Sequence, residues 1–95
     1  MIRADILEQT RKVICEDRQA QYNEPENNFS SLAVVWSEQL KHKLTSSLTA
    51  YEVGILLAGL KLIRSSCGNP FKTDNLIDLC GYSACAAEIG LNEEL

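Results

Sequence analysis

The sequence predicts an all-α protein, a compact four-helix arrangement forming one domain over residues 1–95. The chain has 95 residues with only two prolines and five glycines, which leaves long stretches without the turn signals that a β-sandwich needs. A hydrophobic fraction of 45% can support one core, whereas the length is too short for two domains. Apolar residues also recur at helical spacing in four segments, and each segment has end signals.

The first predicted helix runs from about Arg3 to Gln19. Its inward stripe follows the helical repeat, and its other face is charged. The predicted inward residues are Ile6, Leu7, Thr10, Val13 and Ile14.

A polar stretch around Pro25 predicts a loop, because proline disfavours the helical conformation of the residue before it. Asn27 or Asn28 then provides an N-cap for the second helix, from about Phe29 to Lys43. Its predicted inward residues are Phe29, Leu32, Ala33, Trp36 and Leu40.

The third helix, from Tyr51 to Ser66, has the clearest start signal. Thr49 and Glu52 have the spacing of a capping box, in which each side chain binds the other residue's backbone N–H. The segment is apolar almost all round, so we expect it to be the most enclosed helix, with Gly54 and Gly59 permitting close backbone approach.

The fourth helix is predicted from about Asp74 to Ile89, with Thr73 as its cap and Gly90 as its stop. The short connection between helices three and four favours an antiparallel hairpin.

The composition excludes several classes of function. Thirteen acidic against nine basic side chains give a net charge of −4, which argues against a nucleic-acid-binding surface. The sequence contains no apolar run of the length of a signal peptide or a membrane span, so we expect a cytoplasmic protein that does not bind membranes. The spacing of its four cysteines lacks a zinc pattern and predicts reduced thiols in or near the core.

One group of polar residues is predicted to converge on a groove between helices three and four. In an antiparallel hairpin Arg64 would lie near Asp74, and Lys61 near Asp78, with Tyr82 further along the same stripe. The group has two interpretations. It is either a pocket, whose carboxylates hold a cation and whose basic groups bind phosphates, or a network of salt bridges between helices.

A second cluster combines Glu16, Asp17 and Arg18 with Tyr22 at the end of helix one. It is a candidate part of a ligand site or, alternatively, a set of surface charges beside a packed tyrosine. The single histidine, His42, lies between two lysines and is expected to face solvent. The sequence has no glycine-rich phosphate loop and no serine or cysteine nucleophile with a histidine at a plausible spacing.

Four separated blocks of the sequence resemble a phage and prophage family of small uncharacterised all-α domains. The blocks are 17–29, 32–37, 61–64 and 74–82, and the resemblance spans roughly Ile6 to Ile89. It implies an all-α protein of bacteriophage or prophage origin, and hence a location in the host cell cytoplasm.

The segment from Asp74 to Leu79 is also distantly similar to the MazG-like nucleoside triphosphate pyrophosphatases. That resemblance implies a MazG-like helical core, a nucleotide as ligand, and Mg²⁺ held by Asp74 and Asp78. The segment departs from the family's ExxD motif because Asn75 stands where a glutamate belongs, and Glu38 alone occupies the region of its ExxE pair.

These observations support two functions from different classes. One is nucleotide binding or Mg²⁺-dependent pyrophosphohydrolysis in the groove. The other is a non-enzymatic interaction or regulatory protein whose polar cluster is a structural salt-bridge network. Helix three is apolar on more faces than its neighbours can cover, so we also expect a dimer or a higher homo-oligomer.

Overall fold

The protein is all-helical in the part of the chain that the structure, a computed structural model, describes: residues 2–17, 25–68 and 73–94. Four α-helices occur there: α1 (Arg3–Lys12), α2 (Pro25–Gln39), α3 (Ala50–Cys67) and α4 (Asp74–Glu94). A π-helical turn, Val13–Asp17, continues α1. The predicted class and helix number are confirmed, whereas the extent of one domain over residues 1–95 stays a prediction.

The helix ends show where local signals succeed. Thr49 Oγ1 accepts a hydrogen bond from the Glu52 backbone N–H at 3.1 Å, and the Thr49 N–H donates to Glu52 Oε1 at 3.0 Å. The predicted capping box is therefore present. At the start of α1, the Ile2 N–H donates a hydrogen bond to the Asp5 carboxylate at 3.1 Å. This N–H has no partner within the helix, so the carboxylate satisfies it.

Three predicted ends are wrong, and one of them is the end of α2, which lies at Gln39 and not at Lys43. Pro25 is the first residue of α2 and not part of a loop, so Asn27 and Asn28 lie inside the helix instead of capping it. Proline suits this position because the first helical N–H has no intrahelical partner. Gly90 does not stop α4, which continues to Glu94.

The core lies where α2, α3 and α4 meet. Phe29 and Ala33 of α2, Val53 of α3 and Ile89 of α4 are buried, with Trp36 and Tyr82 among the partly buried residues around them. Two predicted inward residues face solvent instead: Leu7 is 61% exposed and Leu40 is 41% exposed.

Helix α3 is not the enclosed helix that its composition predicts. Only Val53, Gly54 and Ala58 are buried on it. Large apolar side chains cover its opposite face and are 43–61% exposed. These residues are Ile55, Leu56, Leu60, Leu62 and Ile63.

Helix α1 packs on α4 through Gly81. A Cβ at Gly81 would lie 2.9 Å from Ile14 Cγ2 and 3.9 Å from Thr10 Cγ2, so the absence of a side chain permits this contact. Thr10 is buried, and its hydroxyl donates to the Ile6 carbonyl at 2.8 Å. This hydrogen bond explains how a polar residue is accommodated at the contact.

The cysteines are free, as expected, but the prediction that all four lie in or near the core is wrong. Cys15 and Cys67 are exposed, while Cys80 and Cys85 are half-buried. His42 is exposed as predicted. In the described ranges no helix is both long and apolar enough to span a membrane.

Candidate functional site

The α3–α4 hairpin positions the polar groove, and glycines fix its register. A Cβ at Gly54 would lie 2.8 Å from Ala86 Cβ, and one at Gly90 would lie 2.8 Å from the Tyr51 ring. Both glycines therefore permit close packing of the two helices. The pairing of position 51 with 90 and of 54 with 86 shows that the helices are antiparallel, and it places Lys61 opposite Asp78.

Lys61 and Asp78 form an ion pair across this hairpin. Lys61 Nζ lies 3.0 Å from Asp78 Oδ2, and the two side chains are only 14% and 19% exposed. The pair is thus more enclosed than an ordinary surface salt bridge. Charges removed from water to this degree interact more strongly, but each has lost part of its hydration.

Arg64 and Asp74 lie further along the two helices, towards the end where they are connected. Both are exposed, and the contacts of the described residues include no ion pair between them. Arg64 is in the last turn of α3 and Asp74 in the first turn of α4, where the helix dipoles stabilise a positive and a negative charge, respectively. Their positions therefore need no ligand to account for them.

Tyr82 packs into the core. It is half-buried against the cluster that includes Phe29, and the two ring centroids lie 6.1 Å apart with the ring planes at 39°. This tilted arrangement is a common aromatic packing geometry. The ring of Tyr82 consequently contributes to the packing of α2 against α4.

The prediction that Asp74 and Asp78 hold Mg²⁺ stays a prediction. Among the described side chains, no group of three or more histidines, cysteines and acids is arranged to hold a metal ion. Asp78 is paired with Lys61, and Glu38 lies on α2 with its carboxylate 2.9 Å from Lys41 Nζ.

The second predicted cluster falls mostly outside the described residues. Arg18 and Tyr22 are not described, and for Asp17 only the backbone is described, as the last residue of the π-helical turn. Their proposed role in a ligand site stays a prediction.

Sequence reasoning missed a groove between α2 and the segment that leads into α3. Its volume is about 570 Å³, and Ser30, Ser37, Ser47 and Leu48 are among the residues that line it. Ser37 Oγ accepts a hydrogen bond from the Leu48 N–H at 2.8 Å, which ties the segment to α2. A serine one turn before a helix end is too common a feature to have indicated this contact.

A second missed feature is the polar environment of Cys85 in α4. Loss of hydration on burial raises the pKa of its thiol to about 11, and the charges of Glu26, Glu88 and Cys15 add to this effect. Glu26 Oε2 is itself buried, and it has no hydrogen-bond partner within the described structure. The thiol therefore stays protonated at neutral pH.

At the protein surface, Glu8 and Arg11 form a two-point interaction at 2.7–3.1 Å. The hydrogen bond and charge of Arg11 lower the pKa of Glu8, and Glu8 raises the pKa of Arg11 in the same way. Both groups are fully exposed, so this pair does not form an enclosed site.

Comparison with known proteins places the chain in a family. The family model described as "Domain of unknown function (DUF6378)" matches residues 5–90. The chain belongs to the DUF6378 family. The resemblance to a family of small uncharacterised domains is thereby confirmed, whereas the distant similarity to the MazG-like pyrophosphatases stays a prediction.

A phage protein is similar to this DUF6378 chain. The Gene 55 protein of Mycobacterium phage D29 is 27% identical over 84 residues. The match covers 88% of this chain and 52% of the phage protein, so the chain spans about half the length of the curated relative it matches. No solved structure matches the chain.

Proposed function

We propose that this protein is a non-enzymatic helical interaction protein of phage or prophage origin that acts in the host cell cytoplasm. The observation that carries the proposal is the ion pairing and burial of the two central charged residues. Lys61 and Asp78 neutralise each other across α3 and α4 at 3.0 Å and are largely enclosed. Groups held in this way are poor candidates for binding a phosphate or a metal ion.

The Lys61–Asp78 pair has a structural role in this proposal. A partly buried ion pair adds little net stability compared with two apolar side chains, but it penalises any arrangement that separates the charges. A shift of α4 by one turn along α3 would separate the Lys61 ammonium from the Asp78 carboxylate. The pair therefore selects the register that the close contacts at Gly54 and Gly90 require.

The phage context is supported by the similarity to the Gene 55 protein of Mycobacterium phage D29. Since that protein is about twice as long as the matched segment, its remaining half has no counterpart in this chain. An interaction domain is compatible with such an arrangement, because it can act alone or joined to another segment.

Nucleotide binding in the α3–α4 groove is the second candidate function. The observation that favours it is the exposure of Arg64 and Asp74 beside the Lys61–Asp78 pair, which leaves one cationic and one acidic group open to solvent. Arg64, together with Lys61, would bind the phosphates, and Tyr82 would contact the rest of the ligand. Asp74 and Asp78 as Mg²⁺ ligands, and a MazG-like pyrophosphatase activity, belong to this candidate.

A panel of nucleoside triphosphates with Mg²⁺ separates the two functions. We expect no release of pyrophosphate and no ligand-induced shift in the melting temperature with any nucleotide. The protein would be an enzyme instead if the native chain releases pyrophosphate and Asp78→Asn abolishes this turnover while it keeps its helical circular dichroism. A thermal shift without turnover would establish nucleotide binding.

The structural role of the ion pair has its own test. Asp78→Leu leaves the Lys61 ammonium partly buried without this carboxylate, and it should lower the free energy of unfolding by about 2 kcal/mol. The double variant Lys61→Met with Asp78→Leu should recover most of that loss, because the Lys61 charge is removed together with its partner. Asp74→Asn, at an exposed position, is the control and should change stability by about 0.5 kcal/mol or less.

A further inference from the structure

The outer face of α3 is an apolar surface along most of the helix. Ile55, Leu56, Leu60, Leu62 and Ile63 are 43–61% exposed there. A contiguous group of exposed apolar side chains of this kind commonly marks an interaction site, because the largest apolar patch on a typical monomer is only about 300–600 Å². These five residues together with Gly59 form the surface that we term the α3 outer face.

The whole molecule is also more open than a closed monomer of its size. Its accessible surface is 6813 Å², whereas a folded monomer of 10.6 kDa has about 5,500 Å². Its radius of gyration is 14.4 Å, against about 12 Å for a compact chain of this length. A single copy therefore leaves an unusually large part of its surface in water.

Gly59 lies in the middle of the α3 outer face, and no close contact with another described residue explains it. A Cβ at Gly59 would meet nothing within 4 Å, in contrast to Gly54, where it would meet Ala86. Glycine inside a helix lowers its stability by about 1 kcal/mol relative to alanine. Its cost to the helix is therefore not offset by a close contact among the described residues.

The order of residues along this face is suited to a second copy of the same helix. Leu56, Gly59 and Ile63 occur in succession at spacings of three and four residues, which is the repeat of a helix–helix seam. If two copies run antiparallel about an axis at Gly59–Leu60, Leu56 of one copy faces Ile63 of the other. Leu60 then enters the space that the partner's missing side chain leaves at Gly59.

Charge complementarity favours the same orientation. Glu52 is exposed in the first turn of α3, and Arg64 is exposed in its last turn. Antiparallel pairing brings the acidic end of each helix towards the basic end of the other, whereas parallel pairing places like charges side by side. The helix dipoles favour the antiparallel arrangement for the same reason.

The size of the α3 outer face is sufficient for an interface between two copies of the chain. Full burial of these side chains in two copies would remove at most about 1,000 Å² of surface from water, which is the area that a plausible biological interface has to reach. We propose that the protein is a homodimer in which the α3 outer faces pack antiparallel around Gly59. This inference rests on the proposed interaction function and names the partner as a second copy.

Sedimentation equilibrium of the full chain tests the proposal. The native protein should have twice the 10.6 kDa mass of the chain at micromolar concentrations. Leu56→Glu and Ile63→Lys should each weaken the dimer roughly 100-fold or more, because each places charges against an apolar partner. Both positions are more than half exposed in the single chain, so the variants should keep their helical circular dichroism.

The double variant Leu56→Glu with Ile63→Lys tests the orientation. In an antiparallel pair each introduced glutamate faces an introduced lysine, so dimerisation should recover at low salt. In a parallel pair the like charges would face each other, and the double variant would stay monomeric. Leu91→Glu, at a position 66% exposed on α4, is the control and should leave the dimer unchanged.

The proposal is overturned if the native protein is monomeric, if the single substitutions leave the dimer intact, or if the double variant fails to recover. Each of these results leaves the proposed function to be decided by the nucleotide panel. Conversely, nucleotide turnover by a dimeric protein would refute the non-enzymatic function and retain the interface. The two failures are therefore distinguishable.

Discussion

Alanine at position 54 would force a methyl group into the contact between α3 and α4. Its Cβ would lie 2.8 Å from Ala86 Cβ, 3.0 Å from Phe29 Cε2 and 3.3 Å from Ala86 Cα. Carbon atoms in proteins pack at about 3.5–4.0 Å, so the helices would have to separate by several tenths of an ångström or more. Ala86 cannot rotate away, since its Cβ is fixed by the backbone.

The net effect is the difference between two opposing terms. Replacing a helical glycine by alanine stabilises by about 1 kcal/mol, while inserting a methyl group into a well-packed contact costs about 1–3 kcal/mol. We expect Gly54→Ala to lower the free energy of unfolding by about 1 kcal/mol. Gly59→Ala is the matched control in the same helix, because a Cβ there is unobstructed and should stabilise the single chain by about 1 kcal/mol.

Urea denaturation followed by circular dichroism at a helical wavelength measures both variants. The protein should be dilute enough to be monomeric, so that the effect of Gly59→Ala reflects the single chain. The two substitutions should change stability in opposite directions. If Gly54→Ala is as stable as Gly59→Ala, the close approach of α3 and α4 at Ala86 is refuted.

Three further predictions concern other parts of the molecule. Thr49→Ala removes the acceptor for the Glu52 N–H and should cost about 1 kcal/mol in a denaturation experiment, whereas exposed Thr45→Ala should cost little. Cys85 should react with a thiol reagent much more slowly than exposed Cys67 at pH 8, and equal rates would contradict its burial. The folded-state pKa of Cys85, about 11, exceeds the ordinary value of 9.0, so the folded protein holds this proton more tightly than the unfolded chain. The free energy of unfolding should therefore fall as the pH rises from about 9 to 11, and it should fall less in Cys85→Ala.

Two features of α3 were predicted correctly from the spacing of residues in the sequence. The start of α3 is determined by Thr49 and Glu52, whose reciprocal hydrogen bonds need no other part of the protein. The pairing of Lys61 with Asp78 is determined by the spacing of charges in an antiparallel hairpin. In both cases the sequence separation itself constrains the geometry.

Features that depend on tertiary packing were missed. Gly90 reads as a helix stop, but the Tyr51 ring lies against it, and this contact explains a glycine inside α4. The apolar composition of α3 predicted an enclosed helix, since hydrophobic residues do not reveal whether their cover comes from the same chain or from another. The environment of Cys85 was hidden for a similar reason, because Glu26 lies far from it in the sequence.

The π-helical turn Val13–Asp17 determines how the chain tolerates changes in length. A π turn holds one more residue per turn than an α-helix, and such turns arise where a residue is accommodated inside a helix. Deleting one residue from this turn would convert it into an ordinary α turn and rotate α1 by about 100° relative to the rest of the chain. If the deleted residue is Val13, Thr10 and Ile14 can no longer face Gly81 together, although both side chains remain in the protein.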